Sequence, residues 1–337
     1  MVKLKDISDI TGYTVSTVSR ALKNSSDINP ETRLAIQKAA RSLGYRSKNR
    51  ASESNFIGVI LPEVNSSYYA YMLHVIDECV RKEGYSVILA ITGFCSVTMI
   101  IQTIRMMLYQ GVKGIFCARN ISQESDHDNY MQELCDVSIP IVFTSDGKSS
   151  PHFDYIETDN YTSVEVALDH LIGLGHTRFG YVGEVLSNVR RMAFETVLEK
   201  RGIAVDSKLI KVGYSRYEQG GFEQMNALLD ESEHPTAVLA SYDHIAIGAM
   251  RAAHLRGLRI PDDVSIVGID SIQLSAFLTP PLTTVSHPVN DMGAIATELL
   301  FDKIENPKNK LIKHVTLQPS LLIRESTAPP KTTGKRG

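Results

Sequence analysis

The sequence predicts an α/β protein: a small all-helical head, then a body of two open lobes, each a parallel sheet flanked by helices. Three observations lead there. Residues 1–46 carry helical apolar spacing only, and from residue 56 short β-rich runs alternate with amphipathic helical stretches. That alternation runs through two successive series, which calls for two lobes rather than one. A chain of 337 residues has room for both and a head, at about 100–200 residues per domain.

The head begins with a helix whose Leu4, Ile7 and Ile10 are read as one apolar face. Gly12 is free to take the positive φ that ends a helix, and Thr14 can cap the next one. The second helix is expected to bury Val15, Val18 and Leu22 and to turn Ser16, Thr17, Ser19 and Arg20 outward. A third follows, with Asn29 as its cap, Pro30 at its first position, and Leu34, Ile36, Ala39, Ala40 and Leu43 inward. Two short helices about a tight turn, braced by a third, form a helix-turn-helix. Short hydroxyls and a guanidinium on the outer face suit base edges and phosphates in a major groove. Charge agrees: residues 1–50 hold ten Lys/Arg against four acids, net +6, whereas the whole chain is −3 and the remainder therefore −9. A basic head on an acidic body directs only the head toward a polyanion.

In the body, Phe56–Leu61 is followed by a helix near 68–83, Tyr85–Ala90 by one near 97–110, and Gly114–Cys117 by one near 124–136. Ile139–Phe143 is the next strand. Phe179–Val182 then precedes a helix near 189–201, Ala237–Ala240 precedes one near 243–257, and Val264–Gly268 closes the series. Strands that are apolar throughout are covered on both faces, as in parallel sheets. Ligands of such sheets sit beyond the carboxyl ends of the strands, so two facing lobes make a cleft there.

Several classes are disfavoured. No run reaches the roughly 18 uninterrupted apolar residues of a membrane span, and the charged, helix-patterned start is no signal region, so a cytoplasmic location is expected. Cys79, Cys95, Cys117 and Cys135 form no Cys-x-x-Cys pair and are expected reduced. Asp126-His127-Asp128 reads as a solvated loop rather than a metal site, and no cofactor is expected. An enzyme reading lacks a glycine-rich phosphate loop or a Gly-x-Ser-x-Gly elbow. A solute-binding receptor would carry a signal peptide and no basic head.

The chain resembles the LacI/GalR family of transcriptional regulators over nearly its whole length. In the head the resemblance rests on Leu4-Lys5-Asp6-Ile7, Val15-Ser16-Thr17-Val18-Ser19-Arg20-Ala21-Leu22-Lys23, Thr32-Arg33 and Leu43-Gly44-Tyr45-Arg46. In the body it rests on Ile57-Gly58-Val59-Ile60, Thr158-Asp159-Asn160, His170-Leu171 with Gly175-His176, and Asp243 with Ala246 and Gly248. Two longer stretches, Arg259–Asp270 and Pro281–Val285, complete it. It implies a core like periplasmic sugar-binding proteins, a dimer on pseudo-palindromic operator DNA, and a small-molecule effector in the cleft that alters DNA affinity. By match, Val15, Ser16, Thr17 and Arg20 are the recognition residues, Thr14, Ser19 and Lys23 join Thr17 as phosphate contacts, and Leu4 belongs to the DNA-binding set. The implied domains are a head at 1–46, a hinge at 47–55, a core at 56–327 and a polar tail at 328–337. Within the core the first lobe takes about 56–157 and 286–312, and the second about 158–285 and 313–327.

The chain departs from the family pattern in two places. Its linker, Arg46 to Asn55, is short and lacks the leucine with which the family wedges open the minor groove, so weaker operator bending is expected. Asn49 and Arg50 could still enter a narrow groove. In the cleft, the usual polar residues give way to Thr92–Val97, and Tyr242 stands where an Asn is common. Asp159, Arg190 and Asp270 are retained as polar effector contacts, with Tyr68, Tyr69, Phe94, Tyr217 and Tyr242 as apolar walls. The tail has no leucine heptads, so a two-fold dimer rather than a coiled-coil tetramer is expected, its cores meeting near 248–257 and Leu274–Leu278. A repressor of a carbohydrate operon responding to a galactoside or other glycoside is the preferred reading. A purine or a phosphocarrier protein as effector is the alternative.

Overall fold

The computed structural model describes residues 3–22, 25, 27–43, 55–94, 97–118, 132–135, 137–145 and 152–331. Lys23, Asn49 and Arg50, most of the 47–55 hinge, Cys95 and Asp126–Asp128 lie outside them.

The head is three helices, α1 (Leu4–Thr11), α2 (Val15–Leu22) and α3 (Pro30–Ser42). Gly12 ends α1 at φ 73°, its N–H bonded to the Ser8 carbonyl. Thr14 caps α2, its Oγ1 accepting from Thr17 N at 3.2 Å, and Asn29 Oδ1 caps α3 through Glu31 N at 2.9 Å. Ile7, Val18, Ala21, Ile28, Ile36 and Ala40 fill the core, with Leu4, Leu22 and Leu43 packed around it. Two expectations fail. Ile10 is exposed because the inward stripe of α1 runs 4, 7, 11 and continues through the half-buried Thr11. Val15 is exposed because the inward stripe of α2 runs through Val18, Ala21 and Leu22, which leaves the first turn projecting.

The body elements are β1 (Phe56–Leu61), α4 (Ser67–Lys82), β2 (Ser86–Ile91), α5 (Val97–Gln110), β3 (Ile115–Ala118), β4 (Ile141–Ser145), β5 (Asp154–Thr158), α6 (Asn160–Gly173), β6 (Phe179–Glu184) and α7 (Asn188–Lys200). They continue with β7 (Ile210–Gly213), α8 (Tyr217–Leu229), β8 (Ala237–Ala240), α9 (Asp243–Leu255), β9 (Ser265–Asp270), β10 (Thr283–Ser286), α10 (Val289–Glu305), β11 (His314–Leu317) and β12 (Ser320–Leu322). They make two six-stranded sheets, ordered β11-β5-β4-β3-β1-β2 and β12-β10-β9-β8-β6-β7. The first is parallel throughout; the second is parallel except for β12, which runs antiparallel to β10 at the edge. The two parallel sheets expected from the sequence are present, with β12 added as an antiparallel edge strand.

Both faces of each sheet are covered, which is why the strands are apolar without alternation. Ile57, Val59 and Leu61 of β1 face a core with Met72, Ile76, Met292 and Leu300, whereas Ile60 faces another with Ile100, Ile104 and Met107. In the second lobe, Val182, Val238 and Ile266 pack on residues of α8 and α9, while Tyr181, Leu239 and Val267 pack on residues of α6 and α7. The chain crosses between lobes after β5, after β10 and between Leu317 and Ser320. The third crossing was expected at 313. Instead His314–Leu317 stays in the first sheet, because β5 offers it a parallel edge from Tyr155 to Thr158.

Candidate functional site

On the head, Thr14, Val15, Ser16 and Arg20 are exposed, and Thr17 and Ser19 are half-buried on the same helix. Arg20 Nη1 is paired with Asp27 Oδ2 at 2.6 Å, both side chains about half exposed. An exposed pair of this kind is weak and screened by salt, so the guanidinium is readily released to a phosphate or a base. Leu4 is half-buried and packs against the head core.

The second site is a cleft of about 140 Å³ between the lobes. Its side chains come from the carboxyl ends of strands: Glu63 beyond β1, Phe94 beyond β2, Thr158 on β5, Glu184 on β6, Arg216 beyond β7, Tyr242 beyond β8, Asp270 on β9 and His287 beyond β10. Both sheets have the 2-1-3-4-5 order whose switch point favours ligand binding at that end.

Arg190 anchors the second-lobe wall. It donates from Nε to Asn160 Oδ1 (2.9 Å), from Nη1 to the Ser241 carbonyl (2.6 Å) and from Nη2 to Asp270 Oδ1 (3.1 Å). Burial pushes the Asp270 carboxyl up, and the Arg190 charge opposes it. Asp270 and Ser271 have φ of 105° and 51°, and Tyr217 57°. Side chains rarely accept such backbone, and two of these three residues line the cleft.

Behind this wall lies Asp243, which no solvent reaches. Its carboxylate accepts from Thr284 Oγ1 at 2.5 Å, from Ile272 N at 2.9 Å and from the Ser275 hydroxyl, fixing the loop that leaves Asp270. Burial outweighs those three bonds and pushes its pKa up to about 7. Gly268 is required beside it, since a Cβ there would lie 2.2 Å from Asp243 Oδ1. His287, against Asp270 and Ser163, is held neutral: burial first and Arg190 second push its pKa down to about 3.

Of the effector contacts expected from sequence, Tyr68, Tyr69, Phe94, Arg190, Tyr217, Tyr242 and Asp270 line the cleft, and Asp159 does not. Asp159 caps α6 instead, accepting from Thr162 N (3.0 Å) and Thr162 Oγ1 (2.7 Å), which occupies both its oxygens. Sequence reasoning missed Glu63, Glu184, Arg216, Asn160 and His287. The available signal was a polar residue just past an apolar run, but β7 and β10 had not been read as strands.

Residues 3–48 match the model of bacterial regulatory proteins of the lacI family, and residues 168–327 match a periplasmic binding protein-like domain. The transcriptional regulator MalR of Streptomyces coelicolor is 31% identical, over 99% of this chain and 98% of that protein. The chain belongs to the lacI family. Among its other relatives, the repressor PurR of Pasteurella multocida is 29% identical over 97% of this chain and 98% of its own length. The ribose operon repressor of Haemophilus influenzae is 29% identical with the same coverages. An Enterococcus faecium LacI-family regulator with bound ribose has a TM-score of 0.71 at 26% identity, over 82% of this chain and 100% of that one. The lac repressor dimer bound to operator shares the fold, with a TM-score of 0.74 at 24% identity over 97% and 99%. This lacI-family member is a DNA-binding transcriptional regulator, and its helix-turn-helix is the DNA-binding element. Among the described residues no helix is long and apolar enough to cross a membrane.

Proposed function

We propose that the cleft takes an uncharged, hydroxyl-rich ligand, a sugar or glycoside, and that its binding changes the head's hold on an operator repressing a carbohydrate operon. The observation that carries this is the state of the two arginines. Arg190 is spent on Asn160, Ser241 and Asp270, and the charge of Arg216 is more than balanced by Glu63 and Glu184, so the cleft has no surplus positive charge for an anion. Three carboxylates against two guanidiniums repel a phosphate, whereas sugar hydroxyls both donate to carboxylates and accept from tyrosine. The aromatic walls suit a pyranose face. The ribose-bound and cellobiose-bound relatives support the same ligand class.

In this reading Val15 and Ser16 discriminate bases while Thr14, Thr17, Ser19 and Arg20 hold register on phosphates and bases. The head ends near 46, a first lobe spans 56–158 with 287–317, and a second spans 159–286 with 320–327. Two copies meet through exposed Leu255, Leu274 and Phe277, and the protein works by binding rather than catalysis, in the cytoplasm.

Calorimetric titration with ribose, cellobiose, maltose, galactosides, ribose 5-phosphate and hypoxanthine tests the ligand. One neutral sugar is expected to bind and to shift operator affinity at least tenfold. The PurR relative makes the purine the specific rival, and binding of hypoxanthine alone would replace the sugar reading with it.

A further inference from the structure

The Arg216 side chain ties the two lobes together across the cleft mouth. It extends from the second lobe, between β7 and α8. Its Nη1 and Nη2 donate to Glu63 Oε2 (2.6 Å) and Oε1 (3.0 Å), a two-pronged grip on a carboxylate of the first lobe. Its Nε donates to Glu184 Oε2 at 2.9 Å on its own lobe, which aims the guanidinium. The flat face lies 4.1 Å over the centre of the Phe94 ring, again on the first lobe. Glu63 and Glu184 are mostly withdrawn from solvent, with 13% and 4% of their side chains exposed. Nearby, Ser67 of the first lobe meets His244 of the second at 3.3 Å, and His244 is braced by Glu218 at 2.6 Å.

We propose that Arg216 is an intramolecular clasp that closes the lobes on each other before any effector arrives, and that it competes with the effector for Glu63 and Glu184. The carboxylates that would receive ligand hydroxyls are the ones the guanidinium occupies, and Phe94, which would receive an apolar sugar face, is the ring it covers. Arg216 therefore acts as a positioning residue that sets both resting shape and selectivity. Apparent effector affinity is the intrinsic affinity reduced by the fraction of molecules whose clasp is open. A ligand without donors for the two carboxylates gains nothing from displacing Arg216.

The chain has no tryptophan, so Phe94→Trp places a single indole under the guanidinium. Acrylamide quenching of that fluorescence is measured on the full-length protein with neither sugar nor DNA. The clasp predicts a shielded, blue-shifted indole. Adding Glu63→Gln or Arg216→Gln should raise the quenching constant at least threefold and shift emission to the red. Arg216→Lys keeps the charge but loses the two-pronged grip, so it should fall between; it also reads the same quantity if a neutral variant fails to fold. Quenching unchanged by these substitutions, or an indole already as open as free tryptophan in the parent, overturns the clasp. Because no effector enters this measurement, its failure is distinct from failure of the sugar reading.

Discussion

Single residues divide the head's contacts into two kinds with different signatures. Val15 and Ser16, exposed on the first turn of α2, should read base edges. Substituting Val15 by alanine is expected to relax preference at one base pair of each half-site, whereas Ser16→Ala, which removes a hydrogen bond of little base preference, changes preference less. Replacing Ser19 should weaken all sequences about equally. A binding series over single-base operator variants separates the two patterns. His287 at the cleft and Asp243 buried behind its wall titrate in opposite senses. His287 stays neutral down to about pH 3 when folded, but the unfolded chain takes up its proton near 6.5. The stability it contributes is therefore whole above 6.5 and lost as pH falls, by about 2 kcal/mol at pH 5. Asp243 keeps its proton up to about pH 7 when folded, against 3.8 when free, so its contribution declines as pH rises across that window. Urea midpoints at pH 5 and 7 should thus show His287→Gln gaining relative stability at pH 5 and Asp243→Asn gaining it at pH 7. Parallel curves for wild type and both variants would contradict the assignments.

Among elements, the closest approach is between α8 and α9. A Cβ at Gly248 would lie 1.9 Å from the Glu218 carbonyl oxygen, and one at Gly221 1.9 Å from that of Ile245. The helix backbones are in direct contact, and Gly248→Ala must push them apart. A loss of at least 1–3 kcal/mol in the core's unfolding is expected, measured by denaturant melting, with the head's DNA contacts unchanged. At the other end of the chain, Asn29→Ala should cost α3 its cap, about 1 kcal/mol. The strands legible in the sequence were β1, β2, β3, β4, β6, β8 and β9, whose runs are apolar, whereas the interior β5 and β10, interrupted by Asp154, Glu157, Thr283 and Thr284, gave no such run. Short edge strands such as β7, β11 and β12 bury little and carry no such signal. The same blindness hid part of the site. Arg216 follows β7 and His287 follows β10, so neither could be placed at a strand end, whereas Arg190 and Asp270 could be named from the family's pattern. Asp159 misled because a carboxylate before a helix is as good a cap as a ligand contact.

The whole molecule couples a base-reading head to a cleft through two lobes joined by three crossings. Ion pairs arrange those lobes, with Arg216 gripping Glu63 across the gap and Arg190 holding Asp270 on one side of it. The linker of residues 46–55 contains no leucine to wedge between base steps. A circular-permutation gel assay should accordingly show little operator bending, and a strong bend would mean that another side chain performs the wedging. The central claim is that a two-fold pair of α2 helices reads the operator. In vitro selection from random DNA with the full-length protein tests it most directly. Enrichment of a two-fold symmetric sequence, with capture that weakens steeply with salt, is the expected result. Enrichment of a lone half-site, or of no sequence at all, would contradict it.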